Sequence, residues 1–122
     1  MLVVDDHVEL ATALSLLLGS CSDIVVCGVA DGGREGLRLA DSLRPDVILL
    51  DLSMPEVDGF EVLRLLHEQH IPSRVLVHST YLLGSVEDEL RANGAWGWLE
   101  KGCPADDLVA AIRAAGRERP AS

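Results

Sequence analysis

Lysine occurs once in this chain, at Lys101, and ten basic residues face twenty acidic ones. The formal net charge of −10 leaves no basic patch to displace phosphate counterions, which argues against direct nucleic-acid binding. A surplus of acid suits a protein that gathers divalent cations or meets basic partners. No apolar run approaches the length needed to cross a bilayer. The start, Met1-Leu2-Val3-Val4-Asp5-Asp6, reaches acid too early for a signal peptide. A cytoplasmic, soluble protein with no membrane association is therefore expected. Cys21, Cys27 and Cys103 have neither metal-type nor redox-type spacing and read as reduced thiols. Low-complexity linkers and internal repeats are missing as well. The 122 residues then suit one domain over 1–116, with 117–122 as a tail or the start of a linker.

Short runs rich in Val, Ile and Leu alternate with segments of helical period, the pattern of βα units around a parallel sheet. Leu2–Val4 predicts a short first strand. Leu10, Ala13, Leu14 and Leu17 predict the buried stripe of a first helix. Ile24–Ala30 predicts the second strand, followed by a helix carrying Leu37, Ala40 and Leu43 that Pro45 stops. Val47-Ile48-Leu49-Leu50 is apolar on both faces, as a central parallel strand should be. Val62, Leu63 and Leu66 mark a third helix, and Val75–His78 a fourth strand. A fourth helix is weakly marked by Val86 and Leu90 behind a capping-box-like Ser85-Val86-Glu87-Asp88. Trp96–Leu99 predicts the fifth strand. Leu108, Ala111, Ile112 and Ala115 predict the stripe of a last helix, with Pro104 in its first turn. Five strands and five helices in alternation imply an α/β doubly wound sheet.

In such a sheet, ligands bind beyond the carboxyl ends of the strands, where the strand order reverses. Asp5 and Asp6 follow the first strand, Asp51 the third, Ser79 the fourth and Lys101 the fifth. With strand order 2-1-3-4-5, three carboxylates would converge with one hydroxyl and one ammonium. Carboxylates that close repel one another and raise at least one pKa. A bound cation removes the conflict, and Mg2+ is typically held by one or two carboxylates, waters and a phosphate. Each residue has a plain alternative: a helix cap for Asp5-Asp6, turn chemistry for Ser79, a surface charge for Lys101. Their joint placement at successive strand ends favours one site. The four histidines are scattered. His7 and His78 lie near these residues, but a lone histidine is more often structural.

The stretches "VVDDH", "LLDLSMPEVDG", "VLVHST" and "GAWGWLEKG" together resemble response-regulator receiver domains over essentially the whole chain. Lys101 followed by Gly102 rather than proline resembles the NarL/FixJ subgroup, which usually joins its receiver to a LuxR-type helix-turn-helix. The resemblance implies a flavodoxin-like fold and a phosphorylation-activated switch. Asp51 would accept a phosphoryl group from a histidine kinase. Asp6 and Asp51 would ligate Mg2+ directly with the carbonyl of Ser53, and Asp5 through water. Lys101 and Ser79 would meet the phosphoryl oxygens. Ser79 and Trp98 would carry the switch, with tryptophan standing where tyrosine or phenylalanine is usual. Ser53 and Tyr81 would govern dephosphorylation.

Flavin modules, P-loop hydrolases and aspartyl phosphatases fit less well. The chain has Asp5-Asp6-His7 after the first strand, no Gly-Lys-Ser/Thr loop, and Ser53 two residues after Asp51. The competing reading is a receiver-like scaffold that is never phosphorylated. Such proteins commonly lose an acidic residue, the acceptor or the lysine, and all are present here. A partner or homodimer surface is expected on the face of the fourth helix, fifth strand and fifth helix, near Tyr81, Leu82 and Leu83. Strand alternation predicts that Trp96 and Trp98 point the same way, and the resemblance, with Trp98 at the switch position, implies that this is outward. His78, in a buried strand, needs a hydrogen-bond partner.

Overall fold

Val47-Ile48-Leu49-Leu50 has no polar face because both of its faces are covered: all four residues are buried in the strand β3 (Val47–Leu50). In the computed structural model, residues 1–54, 56–80 and 84–117 are described, with side chains for all but 84 and 85. Around β3, the other elements among the described residues are β1 (Leu2–Val4), α1 (Val8–Gly19), β2 (Gly28–Ala30), α2 (Gly33–Leu43), α3 (Gly59–Glu68), β4 (Arg74–Ser79), α4 (Gly84–Ala92), β5 (Gly97–Glu100) and α5 (Ala105–Arg117). The strands form one parallel sheet in the order β2-β1-β3-β4-β5. The order turns back between β1 and β3, so Val4 lies beside Leu50 at the carboxyl edge.

Alternation along the strands divides the core into two layers. Val4, Ile48, Leu50, Val75 and Val77 meet Ala40 of α2, Val62, Leu63 and Leu66 of α3, and Leu90 of α4. Val47, Leu49 and Leu76 meet Leu14 and Leu18 of α1 and Leu108, Ile112 and Ala115 of α5. Among the described residues no helix is long and apolar enough to cross a membrane.

Several elements differ from the sequence reading. The second strand is Gly28–Ala30, not Ile24–Ala30, because three-residue β1 offers only three partners: Leu2, Val3 and Val4. Ahead of Gly28, Cys27 N–H donates to Met1 O at 2.8 Å without extending the strand, and Val25 is exposed. The stripe of α1 is Ala11, Leu14 and Leu18: Leu14 is as expected and Leu10 is half-buried against the same layer, but Ala13 and Leu17 are exposed. A run of leucines at 16, 17 and 18 leaves the helical phase ambiguous in sequence, and packing chose Leu18. In α2 the buried residues are Gly33, Gly36 and Ala40, while Leu43 is exposed. Small residues bring this helix close to the sheet: a Cβ on Gly36 would lie 2.8 Å from Val4 Cγ1. Ala111 of α5 is only partly buried, and Pro104 immediately precedes that helix.

β4 gains Arg74 and Ser79 at its ends. β5 is Gly97–Glu100, so Trp96 lies outside it. Alternation consequently does not bind the two tryptophans, and they do not point the same way. Trp98 packs on the α2/α3/α4 layer and Trp96 on the α1/α5 layer, both half-buried. The Arg91 guanidinium sits 5.3 Å from the Trp98 ring centroid, within cation–π range. Tyr81, Leu82 and Leu83 lie outside the described residues.

Candidate functional site

The hydrogen-bond ladder runs on past the strand ends. Asp5 N–H donates to Ala30 O at 3.0 Å, Asp51 N–H to Val4 O at 2.9 Å, and Lys101 N–H to Ser79 O at 2.7 Å. Asp5, Asp51 and Lys101 are thereby fixed as continuations of neighbouring strands. Directly after Lys101 the chain bends at Gly102, whose φ of +93 lies in the region that favours glycine.

The loop after β3 is held by the start of α3. Asp58 caps that helix by accepting the Glu61 N–H at 2.9 Å, and Gly59 N–H donates to Leu52 O at 2.9 Å. A Cβ on Gly59 would lie 2.2 Å from Asp51 O and 2.4 Å from Leu52 Cα. Only glycine permits this approach, so "DG" in the central stretch clamps the backbone of Asp51.

Asp5 and Asp51 are 3% and 2% exposed, and Asp6 is half-buried beside them. Lys101 Nζ lies 3.0 Å from Asp5 Oδ2 and 3.3 Å from Asp51 Oδ1. Asp51 Oδ1 also accepts the Ser53 N–H at 3.2 Å. Asp51 Oδ2 and Asp6 Oδ1 are buried without any hydrogen-bond partner. Burial pushes the Asp51 carboxyl above its usual pKa, and the charge of Asp5 adds to this. Lys101 and the Ser53 N–H pull the other way. Ser79 is buried at the end of β4, lining a cleft with Ser53, Met54, Asp58 and Phe60.

One lysine thus faces three clustered carboxylates, two of which keep an unsatisfied oxygen. That donor set of hard oxygens fits a divalent cation such as Mg2+. Asp5, Asp6, Asp51 and Lys101 lie together, whereas Ser79, expected to converge with them, lines the neighbouring cleft with Ser53 and Asp58. Lys101 here bridges Asp5 and Asp51. Tyr81 lies outside the described residues, and Trp98 lies on β5 beside Val77.

Sequence reasoning placed His7 near these residues but read it as structural. Its Nδ1 lies 3.0 Å from Asp5 Oδ1, 3.2 Å from Asp6 Oδ1 and 3.8 Å from Asp51 Oδ2. His78 is buried, as expected, but its Nδ1 has no hydrogen-bond partner. Burial first, and then the Lys101 charge, lowers its pKa, while Asp5 opposes the shift.

The response regulator receiver domain family matches residues 1–113. Among curated proteins, the nitrate/nitrite response regulator NarL of Escherichia coli is 40% identical over 117 residues, covering 94% of this chain and 53% of that protein. LiaR of Bacillus subtilis is 34% identical, covering 98% of this chain and 57% of that protein. The chain therefore spans about half the length of the curated relatives it matches. Among solved structures, the receiver domain of a Mycobacterium tuberculosis response regulator called NarL superposes with TM-score 0.91 at 30% identity, covering 97% of this chain and 95% of that one. The response regulator domain of Thermotoga maritima CheB gives TM-score 0.89 at 32% identity, covering 98% and 96%. With the matched family, the parallel sheet and the acidic pocket at its carboxyl edge in agreement, this chain belongs to the receiver domains of two-component response regulators.

Proposed function

We propose that this receiver accepts a phosphoryl group on Asp51 from a histidine kinase and changes its surface to control an output, transcription in a longer regulator. One observation carries the reading: Asp51 Oδ2 is buried without a partner, beside two further carboxylates and the chain's single lysine. The Asp51 carboxylate attacks phosphorus and forms an O–P bond. The P–N bond of the donor phosphohistidine breaks, and its electron pair leaves with the imidazole nitrogen. Lys101 offers positive charge to the phosphoryl oxygens, and the Ser79 hydroxyl a hydrogen bond. A Mg2+ ion held by Asp6, Asp51 and the Ser53 carbonyl, with Asp5 acting through water, would supply the charge that keeps Asp51 ionised.

Phosphorylation adds about −1.5 to −2 charge. On this reading Ser79 moves toward it, and Trp98 on β5 answers, under the control of Ser53 and Tyr81 on the phosphoryl lifetime. The α4, β5 and α5 face becomes the surface that meets a partner or a second copy. Residues 1–116 form the receiver, with 117–122 as a tail or the start of a linker to an output domain.

Incubation with Mg2+ and a small phosphodonor, read by intact mass, tests the assignment. The parent is expected to gain one phosphoryl group and Asp51→Asn none. Labelling that persists in that variant would move the acceptor to another residue, and no labelling of the parent would support the non-phosphorylated scaffold instead.

A further inference from the structure

We propose that His7 is a ligand in the acidic pocket, so that borderline divalent ions such as Co2+ bind there through an imidazole nitrogen as well as carboxylate oxygens. The inference rests on reading this pocket as a cation site, and it adds a residue given no part in that reading. One ligand atom from each of Asp5, Asp6, His7 and Asp51 lies within 4.8 Å of all the others.

Adjacent ligands of an octahedral ion with bonds of about 2.1 Å stand about 3.0 Å apart. His7 Nδ1 keeps nearly that spacing from the direct ligand Asp6, 3.2 Å from its Oδ1, and lies 3.0 Å from Asp5 Oδ1. The plain alternative is that His7 merely donates a hydrogen bond to Asp5. That accounts for one contact, yet Asp5 Oδ1 already accepts the His7 backbone N–H at 2.8 Å. It also leaves Asp6 Oδ1 and Asp51 Oδ2 facing the same nitrogen with no donor aligned to either. Asp51 is 2% exposed, so water does not readily satisfy its oxygen.

Lone pairs of four residues converging on one point are the arrangement a cation stabilises. Carboxylates and water suit Mg2+, whereas imidazole adds affinity for later transition ions. The His7 side chain is 61% exposed, so solvent and an entering ion reach it. Its place directly after Asp6, at the boundary of α1, ties it to the two acidic residues by main chain.

Co2+ and Mg2+ are titrated calorimetrically into the parent and into His7→Ala, and the Co2+ complexes are examined by proton NMR. Coordination through Nδ1 leaves the Nε2 proton of the same ring exchangeable and strongly shifted by the paramagnetic ion. The parent is expected to show that signal and to bind Co2+ more tightly than Mg2+. His7→Ala should lose the signal and about tenfold or more in Co2+ affinity, the scale set by loss of even an outer-shell partner, and change less toward Mg2+. Equal Co2+ affinity in the two proteins, or a shifted proton that persists in the variant, overturns the role of His7. Failure of the parent to bind either ion would overturn the cation-site reading itself.

Discussion

Replacing Asp51 by asparagine removes one of three clustered carboxylates, and without metal the variant should melt higher than the parent. Asp51 is 2% exposed and its Oδ2 has no partner. A buried acceptor left unsatisfied costs about 1–3 kcal/mol, and more when it is charged. Asparagine of the same shape removes the charge and brings a donor toward the Asp5 carboxylate. The loss to set against this is the Lys101 contact at 3.3 Å, but Lys101 keeps Asp5 at 3.0 Å. The net gain is then about 1–2 kcal/mol. For a domain of this size the entropy of unfolding converts that to about 4–8 °C in Tm.

The size of the gain depends on pH. The Asp51 pKa is raised in the folded protein, so between the ordinary value of 3.8 and the raised one the folded state holds more proton than the unfolded. Stability from this group is present at the acid end and is lost as pH rises. The advantage of Asp51→Asn should therefore be full at neutral pH and vanish near pH 3.8. Circular dichroism melts in chelator at both pH values read this directly, and added Mg2+ should stabilise the parent more than the variant. A variant that melts at or below the parent in chelator at neutral pH would refute the reasoning.

Two further substitutions test how the site is held. Gly59→Ala forces a methyl to within 2.2 Å of Asp51 O, and overpacking of this kind costs about 1–3 kcal/mol. Denaturant titration should show that loss, whereas Gly19→Ala, with nothing within 4 Å of the added methyl, should show almost none. His78→Leu removes a buried ring whose Nδ1 lacks a partner, a defect worth about 1–3 kcal/mol. Because burial lowers the His78 pKa, the parent loses stability as pH falls below 6.5. Denaturation at neutral and acid pH should find that slope reduced in the variant, and an unchanged slope would assign it to another group.

Strand order and the convergence of Asp5, Asp6, Asp51 and Lys101 were legible because buried parallel strands are uninterrupted apolar runs with chemistry at their ends. Helix phase was less legible. Leu16, Leu17 and Leu18 offer three registers, and only packing against the sheet selects Leu18. The tryptophans were misread for a similar reason: period two holds only inside a strand, and β5 begins after Trp96. His7 was read as structural because its significance lies in distances to three oxygens, two of them on adjoining residues and the third on a different strand end. Gly33 and Gly36 of α2 were not legible as a packing face, since glycine carries no hydrophobic signal of its own.

The scarcity of lysine has a practical consequence. Isotope labelling confined to lysine places one probe in these 122 residues. That probe is an ammonium only 12% exposed, 3.0 Å from Asp5 and 3.3 Å from Asp51. Its nitrogen resonance and the exchange rate of its protons depend on those two carboxylates above all. A single peak, free of overlap and needing no assignment, would follow charge arriving at or leaving the pocket in real time.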